Sequence, residues 1–477
     1  KCLKKRTLLI ISVVCALVSF FWGGLQVRAE EGAPKEGELY AASAVLMDAA
    51  SGRVLYGKNP EEQLPMASTT KIMTCILILE NGGLEDVLTV SPYAAGMPKV
   101  KLNMYPGEQY RVKDLLYSLM LESHNDSAAA LAEYFGAKYL SEQVMEKSQE
   151  GYTETDSRQA VDAFVGLMNQ KAAQLGCENT WFITPNGLDA EREYTDGDGN
   201  VVKRKHSTTA SELAWIMSYC VKKSPAREAF LKLTQTKSYQ FTANGRVFHC
   251  QNHNSFLDMM EGAVSGKTGF TNQAGYCYVG ALERDGDIFV VSLLACGWPN
   301  HKTWKWSDTR KLMEYGKSNF SYQSFLEPGL AFDEGVLKPV PVLNGQTKEL
   351  GRQAYVDTGV FREGTENAGL DALALGGNRE NQTGILLGKG EKVTVRYSVT
   401  DKLEAPVREG CVVGEVCYLV DDVIYRRRPA RGAGGGLRAG EPGRLRPRLP
   451  AVPAPARAAL RPRPHRDPVP GEGRGRH

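Results

Sequence analysis

The 477-residue chain has little cysteine and little histidine, ten residues of one and seven of the other, and no C-x-x-C pair. Eight of those thiols spread over the body make no disulfide scaffold, and most stand in apolar stretches, where they read as small buried hydrophobes. His206, His249 and His253 lack zinc-ligand spacing. Asp196, Asp198 and Asn200 open like a calcium loop, but Ser207 stands where such a loop needs its last carboxylate, so no metal site is expected. The composition, 42% hydrophobic and 24% charged, excludes a disordered chain, a collagen-like fibre and a polytopic membrane protein. Positive charge is scarce where it would matter. Residues 30–425 carry 39 basic against 52 acidic residues, so no nucleic-acid partner is expected.

The two ends differ from this body. Lys1, Lys4, Lys5 and Arg6 precede an apolar run from Leu8 to Trp22, and Val27-Arg28-Ala29 offers a cleavage site. Residues 1–29 therefore read as an export signal, with a single uncleaved anchor as the other reading. Residues 426–477 contain no Lys, Ser, Thr, Asn, Gln, Ile, Phe, Met, Tyr, Trp or Cys, while Gly, Ala, Arg and Pro make up 41 of the 52. No core can be built from that composition, and a disordered tail is expected. It could be a basic arm for anionic wall polymers. Out-of-frame translation of G/C-rich codons is the reading favoured here, because those four amino acids share such codons.

Between the ends, strands and helices alternate from Ala42 to about Phe320. The runs 42–48 and 53–56 flank a Ser51-Gly52 turn, and 275–283 and 287–295 flank Arg284-Asp285-Gly286, which predicts two hairpins. Helical spacing over 161–175 and 213–220 lies between them, and a closing helix is expected over about 303–317. Strands at both ends with helices between predict an α/β (α+β) domain over 38–321, an antiparallel sheet carrying a helical subdomain. A linker is expected at 322–335, then a small all-β domain over 335–425, where Lys392–Tyr397 alternates cleanly.

Three short motifs carry chemistry. Ser68-Thr69-Thr70-Lys71 opens a helix, and spacing of three residues puts the Ser68 hydroxyl and the Lys71 amine on one face. Serine needs a base to become a nucleophile, and lysine serves once its pKa falls, here through the helix N-terminus and a second cation. Ser123-His124-Asn125 lies at a turn between two helical segments, where Ser123 can relay a proton and Asn125 can hold Lys71 or a substrate amide. Lys267-Thr268-Gly269, followed by Phe270 and Thr271, belongs on an edge strand whose glycine lets a ligand approach. Each alone is weak. A helix cap accounts for the second and a solvated strand end for the third.

In this order the three resemble the signature of the penicillin-recognising serine enzymes. Their flanks, with Asn179-Thr180-Trp181-Phe182, Pro185-Asn186-Gly187-Leu188 and Asn252-His253-Asn254, resemble the low-molecular-weight D-alanyl-D-alanine carboxypeptidases over about residues 38–425. The resemblance implies a β-lactamase/transpeptidase-like catalytic domain that removes the terminal D-alanine of peptidoglycan stem peptides through an acyl-serine intermediate. Ser68 would attack, Lys71 act as base and Ser123 relay the proton. Asn125, Lys267, Thr268, Gly269, Phe270 and Thr271 would bind substrate, and the Ser68 and Phe270 amides the oxyanion. No cofactor is implied, β-lactams would be covalent inhibitors, and the enzyme would work at the outer face of the membrane or in the wall.

Three departures stand out. His124 occupies a position where glycine is usual and is expected to narrow the cleft. Residues 190–206 read as an inserted surface loop. The family's C-terminal membrane anchor is not seen, because the unusual tail begins where it should start. Two other functions are weighed. A β-lactamase is disfavoured by the missing E-x-x-x-N element and the appended β domain. A non-catalytic penicillin-binding sensor or wall-binding module is disfavoured by three intact motifs.

Overall fold

The structure, a computed structural model, describes residues 32–140, 149–195, 197, 199–324, 339–345, 352–360, 384–408 and 410–433. The export signal, Asp196 and Asp198 of the calcium-like run, and the tail beyond Ala433 lie outside the described residues.

The chain opens with the expected hairpin, β1 (Ser43–Asp48) and β2 (Val54–Lys58). A 3-10 turn at Ala67–Thr70 leads into α1 (Lys71–Asn81). The pair β3 (Val87–Thr89) and β4 (Gln109–Arg111) brackets α2 (Pro92–Ala95), whose first turn is capped by the Ser91 hydroxyl. Then come α3 (Val112–Tyr117), a π-helical turn at Ser118–Glu122, α4 (Asn125–Ala137) and α5 (Glu154–Gln174). A capping box of Thr153 and Asp156 starts α5. The inserted segment is itself a hairpin, β5 (Glu191–Thr195) with β6 (Val201–Lys205), tied to α5 by Arg192 and Asp162.

After it follow α6 (Ala210–Ser218), a second π-helical turn at Tyr219–Lys223, α7 (Arg227–Gln235), the hairpin β7 (Ser238–Ala243) and β8 (Arg246–Gln251), and α8 (Phe256–Met259). The chain returns to the sheet with β9 (Ala263–Thr271), β10 (Gly275–Arg284) and β11 (Asp287–Leu294), and α9 (Trp304–Asn319) closes the domain.

The sheet has the order β2-β1-β11-β10-β9 with every neighbour antiparallel, and β9 at one edge as expected. Both faces are covered, so alternate side chains feed two cores. Val45, Met47, Val279, Ala281 and Val290 point into the core shared with the helical subdomain. Leu46, Tyr278, Leu282, Phe289 and Val291 face the side closed by α9. That sandwiching holds β9 firmly while leaving one edge of it toward the helices that carry Ser68 and Asn125. Among the described residues no helix is long and apolar enough to cross a membrane.

The β-rich region contains β12 (Phe320–Ser324), β13 (Val340–Leu343), β14 (Ala354–Val360), β15 (Gly384–Gly388), β16 (Thr394–Val399), β17 (Leu403–Glu404), β18 (Val412–Val420) and β19 (Val423–Ala433). Two expected boundaries shift. Residues 322–324 are not linker but part of β12, paired with β15. Residues 426–433, assigned to the tail by composition, extend β19 between β18 and β14. Ladder pairing uses backbone groups, which an arginine-rich run supplies as well as any other, so composition misplaced this end. Arg53, at the entry to β2, fastens the two regions together: it donates to the Leu386 carbonyl at 2.7 Å and grips the Glu391 carboxylate with both terminal guanidinium nitrogens.

Candidate active site

Ser68 lies in the 3-10 turn, with Ala67 before it in the left-handed region at φ 48°. A non-glycine residue held there marks a turn fixed by its surroundings. The supports are visible. Thr70 Oγ1 donates to the Ala67 carbonyl at 2.8 Å and meets His206 Nε2 at 2.7 Å, while His206 Nδ1 accepts the Ile183 amide at 2.9 Å. Since Nδ1 accepts a backbone N–H, the proton of the neutral ring sits on Nε2. Burial, then the nearby Lys71, pushes the His206 pKa down to about 3.

Lys71 begins α1 and is fully buried. Its Nζ lies 2.9 Å from Ser68 Oγ, 2.9 Å from Asn125 Oδ1 and 2.6 Å from the Asn186 carbonyl. Burial holds its pKa well below the ordinary lysine value, with Lys267 as the second cause and Asp126 opposing. The helix N-terminus and second cation argued from sequence are thus joined by a larger effect, desolvation. Two of the three partners can only accept, because the Asn125 amide nitrogen is already committed to the Pro98 and Lys99 carbonyls at 3.2 Å each. A neutral amine therefore places its two N–H bonds on Asn125 and Asn186. Its lone pair is left for the Ser68 hydroxyl.

Asn125 is the first residue of α4, and Asp126 beside it accepts from the amides of Leu102, Asn103 and Met104. That pins the loop whose carbonyls orient Asn125. Ser123 sits just before, at φ 66°, with its Oγ buried and without a hydrogen-bond partner among the described residues. His124 does not narrow the cleft as expected. Its ring is buried, with Nδ1 at 2.8 Å from Ser118 Oγ in the preceding π-helical turn.

Lys267 on β9 is buried, its pKa lowered to about 7 by burial, and its Nζ donates to the Thr268 carbonyl at 2.9 Å. Gly269 brings the strand against the nucleophile: a methyl carbon there would lie 2.8 Å from the Ser68 nitrogen and 3.0 Å from Ala67 Cβ. Phe270 is 37% exposed, and Thr271 Oγ1 donates to Asp189 at 2.9 Å. The fold thus gathers Ser68, Lys71, Asn125, Lys267 and Gly269 closely, with Thr268, Phe270 and Thr271 following along β9. Ser123 stands at the same turn as Asn125 without touching Lys71 through a hydrogen bond. Sequence reasoning missed Asn186, His206 and Asp189. Pro185-Asn186-Gly187-Leu188 was the available signal for the first, but its contribution is a backbone carbonyl, which no motif specifies.

A serine hydroxyl resting on a buried lysine of lowered pKa, beneath the edge of a five-stranded antiparallel sheet, defines an active-site-serine hydrolase. Residues 29–142 and 159–294 match the family described as D-alanyl-D-alanine carboxypeptidase, and the chain belongs to that family. It is a serine-type carboxypeptidase. The chain is 25% identical over 395 residues to the Bacillus subtilis D-alanyl-D-alanine carboxypeptidase DacF, covering 82% of this chain and 84% of that protein. To the Escherichia coli D-alanyl-D-alanine carboxypeptidase DacC it is 27% identical over 402 residues, with 82% of each covered. Among solved structures, penicillin binding protein 5 from Haemophilus influenzae superposes with a TM-score of 0.59 at 23% identity, covering 86% of this chain and all of that one. That likeness shows the fold: a penicillin-binding-protein catalytic domain followed by β structure.

Proposed function

We propose that Ser68, Lys71 and Ser123 carry the catalysis and that Asn125, Lys267, Thr268, Gly269, Phe270 and Thr271 bind a peptidoglycan stem ending in D-Ala-D-Ala. The observation that carries the reading is the Lys71 amine at 2.9 Å from Ser68 Oγ, with acceptor-only partners on its other side. Lys71 takes the Ser68 proton as Oγ attacks the carbonyl between the two D-alanines. The Ser68 and Phe270 amides receive the developing oxyanion, and the buried setting strengthens both bonds. Ser123, whose hydroxyl has no hydrogen-bond partner among the described residues, passes the proton to the leaving D-alanine nitrogen. The terminal carboxylate lies on Thr268, and the Lys267 charge favours it there. Water then attacks the acyl-serine, Lys71 again accepting a proton, and the shortened stem leaves.

β-Lactams, which mimic the D-Ala-D-Ala terminus, would acylate the same hydroxyl. The substrate places the enzyme outside the cytoplasm, in agreement with the export signal read in residues 1–29. Every residue named here lies within the proposed catalytic domain, 38–321, and the β domain follows it. The test is release of one D-alanine per acylated D-Ala-D-Ala peptide, with labelled penicillin as a second readout. Ser68→Ala should lose labelling and lower hydrolysis by at least roughly 10³-fold. Labelling that persists in Ser68→Ala refutes the nucleophile.

A further inference from the structure

Six aromatic rings lead away from the catalytic strand, and the chemistry of the cleft does not use most of them. Phe270 stacks obliquely on its cross-strand partner Tyr276, with centroids 4.7 Å apart. Beside them Trp298 lies over the end of β10, its indole N–H fixed on the Asn272 carbonyl at 3.0 Å. Gly275 stays bare beneath it, since a methyl carbon there would approach the indole to 3.1 Å. The other side of Gly297 meets Trp304, which is sandwiched between His301 at 3.8 Å and Tyr40 at 4.2 Å. Tyr276 and Trp304 are half-buried beneath their neighbours, whereas the outer rings are anchored yet uncovered: Trp298 is 45% exposed and Tyr40 47%. Rigid aromatic surface left in water marks a binding face rather than a core.

The direction of the substrate says what should reach it. With the terminal carboxylate at Lys267–Thr268 and the scissile carbonyl at Ser68 beside Gly269, the acyl part of the peptide must run toward Phe270 and Thr271. It leaves the cleft at the β9–β10 turn, where Trp298 begins. An extended stem gains roughly 3.3 Å per residue, so a few residues carry its sugar end onto these rings. Pyranose rings are flat, with an apolar C–H face and hydroxyls at the rim, and they match an indole or phenol face in shape and polarity. We propose that the exposed rings of Phe270, Trp298, His301 and Tyr40, backed by Tyr276 and Trp304, dock the glycan strand from which the stem peptide hangs. The proposal rests on the carboxypeptidase reading for the direction of the substrate.

Binding and turnover test it separately. Full-length Ser68→Ala should co-sediment with peptide-free glycan strands, which need no catalysis. Adding Trp298→Ala should weaken that retention by roughly tenfold, Tyr40→Ala by less, and Trp298→Tyr should largely restore it. In the active enzyme, Trp298→Ala should raise KM for a disaccharide-linked pentapeptide while kcat/KM for the same peptide without sugar stays within about twofold of wild type. No retention of glycan by Ser68→Ala, or equal losses on both substrates, overturns the proposal. Failure of the wild type to release D-alanine from either substrate refutes the carboxypeptidase reading instead, and the sedimentation result then decides the glycan face on its own.

Discussion

Lys71 and Lys267 divide one task between them. Both are buried, and the Lys267 charge joins burial in lowering the Lys71 pKa, while burial alone lowers that of Lys267. The proposed mechanism needs Lys71 neutral as base and Lys267 charged to hold the carboxylate. The expected kcat/KM therefore falls as pH rises through about 7, where Lys267 loses the charge that holds the carboxylate. A profile flat through that descent would remove Lys267 from carboxylate binding. Lys71→Arg should be nearly inactive, because guanidinium keeps its proton, and robust peptide hydrolysis by that variant would refute the base. At this scale the sequence was most readable. Ser68, Lys71, Asn125 and Lys267 advertise themselves because their spacing along short segments is also their geometry. The Asn186 carbonyl and the His206–Thr70 contact come from tertiary approach over more than a hundred residues, and no local pattern encodes that.

Single elements carry their own tests. Gly269→Ala would drive a methyl group into the Ser68 turn, and because β9 is held on both faces of the sheet the turn must yield. The variant should fold, yet lose roughly 10²-fold in acylation by labelled penicillin, since displacements of an ångström cost about that much. On α4, Glu133 is buried against Ser91, the cap of α2, with its pKa pushed up to about 7 by burial. The unfolded chain ionises this group near 4.5, so stability is lost as pH rises from there to about 7 and stays lost above it. Glu133→Gln should therefore stabilise the protein at pH 8 by up to about 3 kcal/mol and change little at pH 4. Equal melting temperatures for both proteins at pH 8 would contradict this. Hairpins, the closing helix and the edge position of β9 follow from alternation and turn residues, and the structure agrees. The 3-10 turn at Ser68 and the π-helical turn before Ser123 do not follow, because hydrophobic spacing hardly distinguishes them from α-helix.

Across the whole molecule, Arg53 and Glu391 are the joint between catalytic and β regions, reinforced by the Leu386 amide on Asp48. Removing one partner strands a buried charge. Arg53→Met should cost about 3–5 kcal/mol and open the joint to proteolysis, and Arg53→Met with Glu391→Leu should recover much of it. Unchanged protease resistance in the single variant would show the joint to be held elsewhere. Ending the chain at Tyr425 should loosen the β domain relative to ending it at Ala433, because β14 and β18 lose a shared neighbour. Identical protease resistance of the two truncations would contradict the register. Composition could not reveal that boundary, since pairing partners far away in sequence decide it. At the edge of the sheet opposite to β2, β9 has a wider meaning. A peptide that adds itself there as a sixth strand is recognised by amides and carbonyls common to every residue. If the stem binds in that way, wall peptides that differ in their middle side chains, between species or across growth phases, would be trimmed alike by a hydrolase of this build.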